Sequence, residues 1–138
     1  MESRDLKIVI VLSSQLEKGP AANRAAVLST GLAAHVSEMI GEDLTTKDGV
    51  TLRGFTQFPI PILMTKQDVS FFSLADKAKE LDCKVIVFLS RAQGMRSYEE
   101  YKDSVAATNY ADLDIDAIAM WGSIKSVTKI TGNLPSFR

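Results

Sequence analysis

Of 138 residues only one is cysteine and one is histidine, and neither charge sign is in excess. A lone Cys83 permits no internal disulfide and matches a reducing compartment, so the expected location is cytoplasmic. A lone His35 has no second imidazole with which to build a metal site. Sixteen basic residues face 17 acidic ones, giving a net charge of −1 and a pI near 5.8. No global field therefore draws the chain to nucleic acid or an anionic membrane, and any such binding must be local. The apolar run Ile8 to Leu12, with Leu6 before it, falls far short of a signal core or a membrane span. There is no G-x-x-x-x-G-K-[ST] phosphate loop, no G-x-G-x-x-G, no H-E-x-x-H and no cysteine pair. Nucleotide hydrolysis, dinucleotide binding and structural zinc have no motif to rest on, and neither cofactor nor metal is expected. Repeats, low-complexity tracts and Pro/Ser-rich linkers are also missing, so residues 1–138 are expected to form one domain.

The apolar segments that are present alternate in type, as in an α/β protein. KIVIVL (7–12), KVIVFLS (84–90) and IDAIAMW (115–121) are continuous apolar runs of the kind found in strands buried on both faces. Asp48-Gly49 offers a turn between short strand-like stretches, and FPIPILM (58–64) holds Pro59 and Pro61, which suits an edge strand or irregular chain. Asp68 is positioned to cap a helix whose inner face is Phe71, Leu74, Ala75, Ala78 and Leu81. Ser97 with Glu100 forms a capping box for a helix through about Thr108, and Ser123 opens a short helix that closes at Gly132. Together these segments predict a three-layer sandwich around a small mixed or parallel sheet.

The stretch LEKGPAANRAAVLSTGLAAHVSEM (16–39) predicts a helix over 20–40. Pro20 suits its first position, where the missing N–H is no loss, and Gly19 lets the chain turn sharply off the strand. Ala21, Ala22, Ala25, Ala26, Ala33 and Ala34, with Gly31, make a thin helix that can approach a sheet closely. Asn23 has no packing role: its amide either braces the preceding loop or faces the crevice where loops leave the sheet. His35, seven residues after Leu28, is expected to be a packed or hydrogen-bonded histidine. Tyr98 and Tyr101 in YEEY are expected to serve packing or a dimer contact.

The strand followed by KGPAAN, and the closing AIAMWGSIKSVTKITGNLPSF (117–137), resemble the family known as domain of unknown function 2000. Both ends also resemble the type 2 peptidyl-tRNA hydrolases, which have a strand running into a Gly-Lys-x-x-Ala-Gln helix start and a Thr-Gly-x-Leu ending. VTKITGNL (127–134) matches that ending, and AAN stands where the hydrolase has AAQ. The resemblance implies a mixed four-stranded sheet between helices and a homodimer. The departures bear on activity. Where the hydrolase helix carries a His, this chain has Ala26, and Lys18 precedes Gly19 rather than following it. The hydrolase's Asp-Ala-Gly-Arg-Thr-Gln run is replaced by SRAQGMRSYEEY (90–101), so the acid of that site is missing.

Loops after the first and second buried strands converge in sheets of this kind, bringing Ser13, Ser14, Gln15, Lys18, Gly19 and Asn23 toward Ser90, Arg91, Gln93 and Arg96. Lys18, Gly19, Asn23, Arg91, Gln93 and Arg96 are the candidate ligand-binding set, able to hold a small anion unless the arginines are spent on Glu99 or Glu100. Two functions compete. One is a non-catalytic binding or regulatory module for a small anionic or amide-bearing ligand. The other is a peptidyl-tRNA or other acyl-ester hydrolase with a rebuilt site. The balanced charge makes tRNA an unexpected partner, because a tRNA grip takes several cationic contacts with phosphates. No membrane partner is expected. Homodimerisation is, from the resemblance and from apolar residues between Phe55 and Met64 that three core strands do not require.

Overall fold

The computed structural model describes residues 5–138. Three long strands, β1 (Lys7–Leu12), β5 (Lys84–Leu89) and β6 (Ile115–Gly122), lie in one sheet with a short β4 (Ile62–Met64), in the order β4-β1-β6-β5. β4 is parallel to β1, whereas β6 runs antiparallel to both β1 and β5, so the sheet is mixed. Because β6 reverses, β1 and β5 point the same way, and their C-terminal ends share one rim with the N-terminal end of β6. Helix α1 (Lys18–His35) covers one face. Helices α2 (Phe71–Glu80) and α4 (Ile124–Thr131) cover the other. β2 (Leu44–Thr45) and β3 (Thr51–Leu52) form a separate hairpin, and α3 (Tyr98–Ala106) follows a 3₁₀ turn at 90–94. Among the described residues no helix is long and apolar enough to cross a membrane.

Strand alternation divides the core. Ile8, Ile10 and Leu12 face α1 with Ala117, Ala119 and Trp121, while Val9 and Val11 face α2 and α4 with Ile118 and Met120. Alanines at 117 and 119 leave room for Leu28 and Leu32 of α1. Gly31 brings the helix close against β5: a Cβ there would stand 2.8 Å from Ile86 Cδ1. Ser97 and Ser123 accept hydrogen bonds from Glu100 N and Ser126 N as N-caps, and Gly49, at φ +90°, closes the hairpin turn.

Four local expectations are corrected. α1 begins at Lys18, so Pro20 is the third helical residue, where its absent N–H is still outside the helical ladder. It ends at His35 rather than 40, because from Met39 onward the chain pairs with 55–57, through Gly41 N to Phe55 O and Gln57 N to Met39 O. Gly19 lies within the first turn of α1 with open space around it; the chain leaves β1 earlier, where Leu16 N and Gln15 N bond to Ser13. α2 is capped by Ser70, whose Oγ accepts from Ser73 N, and not by Asp68.

A bulge on β6 sets up the site. Phe88 faces Ala117 but Leu89 faces Ile115, so Asp116 is the extra residue. Ile115 consequently joins the α2/α4 core, and Asp116 turns toward α1.

Candidate functional site

The residues buried along α1 are Ala21, Arg24, Leu28 and Leu32, a single stripe at helical spacing. Arg24 is therefore aimed at the sheet, and it is 3% exposed. Three partners offset the cost of burying its charge. Asp116 accepts from Nη2 at 2.9 Å and from Nε at 3.3 Å, Gln93 Oε1 accepts from Nη1 at 2.6 Å, and the guanidinium carbon lies 4.5 Å from the centre of the Phe88 ring. One N–H on each terminal nitrogen is left unused by these bonds.

Arg24 also lines a cavity of about 580 Å³, together with Gly19, Pro20, Asn23, Val27, Phe88, Ala92 and Gln93. Asn23 is exposed at its edge and its side chain makes no hydrogen bond among the described residues, so the loop-bracing alternative falls to its neighbour Arg24. Asn23→Ala should accordingly change the urea-unfolding free energy by no more than about 0.5 kcal/mol, as at a surface position. A loss above about 1 kcal/mol, the scale of a buried amide deprived of its partners, would contradict this placement.

Gly19, Asn23 and Gln93 of the candidate set thus share one cavity, and the remaining three residues lie elsewhere. Lys18 is exposed and does not line it. Arg91 turns away: its Nε donates to Asp114 Oδ1 at 2.6 Å and its Nη1 to Ser104 Oγ and Thr108 Oγ1, tying the 90–94 turn to α3. Arg96 is exposed on a neighbouring hollow, and its backbone N–H donates to the Glu100 carboxylate. Ser90 is also spent on Asp114. His35 is exposed and has no hydrogen-bond partner among the described residues, against the expectation of a packed histidine. It ends α1 on the side of the open strand β5. Tyr98 is 80% exposed, while Tyr101 is half-buried beneath it with ring centres 6.1 Å apart. Among the described residues no group of three or more His, Cys, Asp or Glu is placed to hold a metal.

Asp114 adds a pH dependence. Partial burial by itself would raise its pKa, but hydrogen bonds from the Ser90 hydroxyl, the Arg91 N–H and the Arg91 guanidinium outweigh that and hold the carboxyl below its ordinary range. A carboxyl depressed in the folded state contributes stability above its unfolded pKa, near 4, and loses that contribution as pH falls through the lower folded value. Thermal unfolding of Asp114→Asn should therefore fall less steeply than that of the unaltered protein as pH drops below about 4. Identical slopes would show that Asp114 carries no linkage.

Arg24 was not among the candidate residues, yet it is the centre of the site. Its signal was the stripe 21-24-28-32, in which one charged residue stands among apolar ones, with Asp116 inside the apolar run of β6 as its opposite.

None of the curated proteins matches the chain. A solved structure of a protein of unknown function from Agrobacterium tumefaciens strain C58 superposes with a TM-score of 0.85 over 97% of this chain and 98% of that one, at 20% sequence identity. At that identity the likeness shows a shared fold. The model of the family described as "Protein of unknown function (DUF2000)" matches residues 6–138, and the chain belongs to that family.

Proposed function

We propose that this protein is a binding or regulatory module whose Arg24 cavity holds a small amide-bearing ligand without transforming it. The observation that carries this reading is the buried Arg24, fixed by Asp116 and Gln93 with two of its N–H groups unused by those bonds, in the wall of a cavity that Asn23 also lines. Of the two ligand chemistries considered, anion and amide, the amide is favoured by charge balance. Arg24 is neutralised by Asp116 and Arg91 by Asp114, at 2.9 and 2.6 Å, which leaves directed donors but little net positive charge. A carbonyl oxygen facing Arg24 and an N–H facing the Asn23 or Gln93 amide oxygen would satisfy both sides.

Among the described residues no side chain that lines the Arg24 cavity is a carboxylate, imidazole, thiol or hydroxyl, so the lining offers neither nucleophile nor general base. The likeness to type 2 peptidyl-tRNA hydrolases at the two ends of the chain thus extends to a candidate fold relationship and not to the catalytic groups. Titration of the isotopically labelled protein with N-acetylglycine amide, followed by NMR, should move the side-chain signals of Asn23, Gln93 and Arg24. Unchanged signals at millimolar probe, or hydrolysis of peptidyl-tRNA above its spontaneous rate, would overturn the reading.

We also propose a homodimer, through a surface that keeps Phe55 of the Phe55–Met64 segment and adds the β2–β3 hairpin. Phe58, Ile60 and Ile62 are used by the α1-side core and Leu63 by the other, so the segment after Phe55 is largely consumed. The apolar surplus is Phe55, 79% exposed at the start of that segment, together with Leu44 and Leu52 of the adjoining β2–β3 hairpin, 61% and 52% exposed. Such a cluster is a liability in a monomer and a suitable face for a second copy of the same arm. Light scattering at micromolar concentration should give the dimer mass, and Phe55→Glu the monomer mass; a monomeric unaltered protein would contradict the proposal.

A further inference from the structure

The two edges of the sheet are treated differently. Along β4 the C-terminal segment closes the edge: Met64 N donates to Pro135 O, Phe137 N donates to Ile62 O, and Ser136 bridges Leu63. Among the described residues β5 has no such cover. Ser90 N donates to Asp114 O on the β6 side, and the bulge lies on β6, so alternation along β5 is unbroken and Ile86 and Phe88 also direct their backbone groups at β6. Those of Val85, Val87 and Leu89 face outward. Tyr101 stands against the Leu89 N–H, while the N–H groups of Val85 and Val87 have no partner among the described residues. An open edge of β-branched residues is a pairing template that folded proteins normally blunt with proline, charge or a bulge.

Beside this edge three hollows run together. The Arg24 cavity shares Val27, Phe88 and Ala92 with a second, of about 560 Å³, between α1 and the segment 95–101. That one shares His35 and Ile86 with a third, of about 500 Å³, at Lys84 and Trp121. The groove follows α1 from Gly19 to His35, about 24 Å at the helical rise. An extended segment of six residues spans roughly 20 Å. Ile86, Phe88 and Met95 supply an apolar floor, and the charged side chains of the lining are Arg24, Arg96 and Lys84, with no carboxylate among the described lining residues.

We propose that β5 accepts an extended acidic peptide as an added strand, its backbone paired to Val85 and Val87 and its acidic side chains directed at Lys84 and Arg96. This rests on the amide-binding reading of the Arg24 cavity, which takes one end of that strand. A free small molecule has no use for a row of strand donors, and a second β5 would bring like charges, its own Lys84 and Arg96, to the same groove.

The test uses the full chain and an N-acetylated hexapeptide alternating glutamate with valine, ending in a free carboxylate. The amide signals of Val85 and Val87 should shift and their hydrogen exchange should slow. A peptide methylated on alternate backbone nitrogens, and one with lysine in place of glutamate, should each bind roughly tenfold weaker or worse. Equal binding of either control, no change at Val85 and Val87 with millimolar peptide, or shifts there with protein concentration alone would overturn the strand proposal, the last by showing self-pairing. If N-acetylglycine amide still moves the Asn23 and Arg24 signals in those cases, only the strand proposal falls; if it does not, the amide pocket falls as well.

Discussion

Asp116→Ala is expected to lower the free energy of unfolding by about 3 kcal/mol or more, a large part of the 5–15 kcal/mol that holds most domains folded. The substitution leaves the Arg24 guanidinium at 3% exposure with Gln93 and the Phe88 face as its remaining company. Removing one partner of a buried pair costs more than the pair itself is worth, because the other charge stays desolvated. Replacing both members by apolar residues avoids that cost. Arg24→Met with Asp116→Ala should therefore be more stable than Asp116→Ala alone, since Met keeps much of the arginine stem's packing on Phe88. Asp116 is 17% exposed at its side chain, and water reaching it softens the penalty toward the lower end of the range. Urea midpoints for the unaltered protein and the two variants decide the matter. A single-variant loss below about 1 kcal/mol would mean that the pair behaves as a surface bridge.

The same pair explains why the site was only half legible beforehand. β1, β5 and β6 were readable because a strand buried on both faces needs an unbroken apolar run, and Lys7–Leu12, Lys84–Leu89 and Ile115–Gly122 each contain one. The caps at Ser97 and Ser123 were readable because capping is settled within four residues. Arg91 was misplaced because its partner, Asp114, lies 23 positions further on, and nothing near Arg91 announces it. Asp116 depended on the bulge, a misfit of β5 against β6 that appears in neither strand alone. Asn23 drew attention as the odd residue in an alanine run, whereas its neighbour Arg24 occupied the buried stripe.

This division between α1's outer rim and its buried stripe makes Leu32→Ala the second large-effect test. Leu32 has no exposed surface and packs in the α1-side core with Ala117 and Ala119, which are too small to move into the space it would vacate. Leu→Ala at such a site costs about 2–5 kcal/mol, through lost burial and the cavity left behind, and the alanine floor argues for the upper half of that range. Arg24 lies eight positions earlier on the same helix, about 12 Å away at the helical rise, beyond the distance at which neighbouring substitutions usually couple. Leu32→Ala should thus reduce stability sharply while leaving the response of Asn23, Gln93 and Arg24 to N-acetylglycine amide unchanged under conditions where the variant remains folded. Loss of that response in the folded variant would mean that α1 moves as a rigid body when its floor is opened. The cavity at Arg24 would then be set by the docking of the whole helix, and the Asp116 and Gln93 bonds would not be enough to define it.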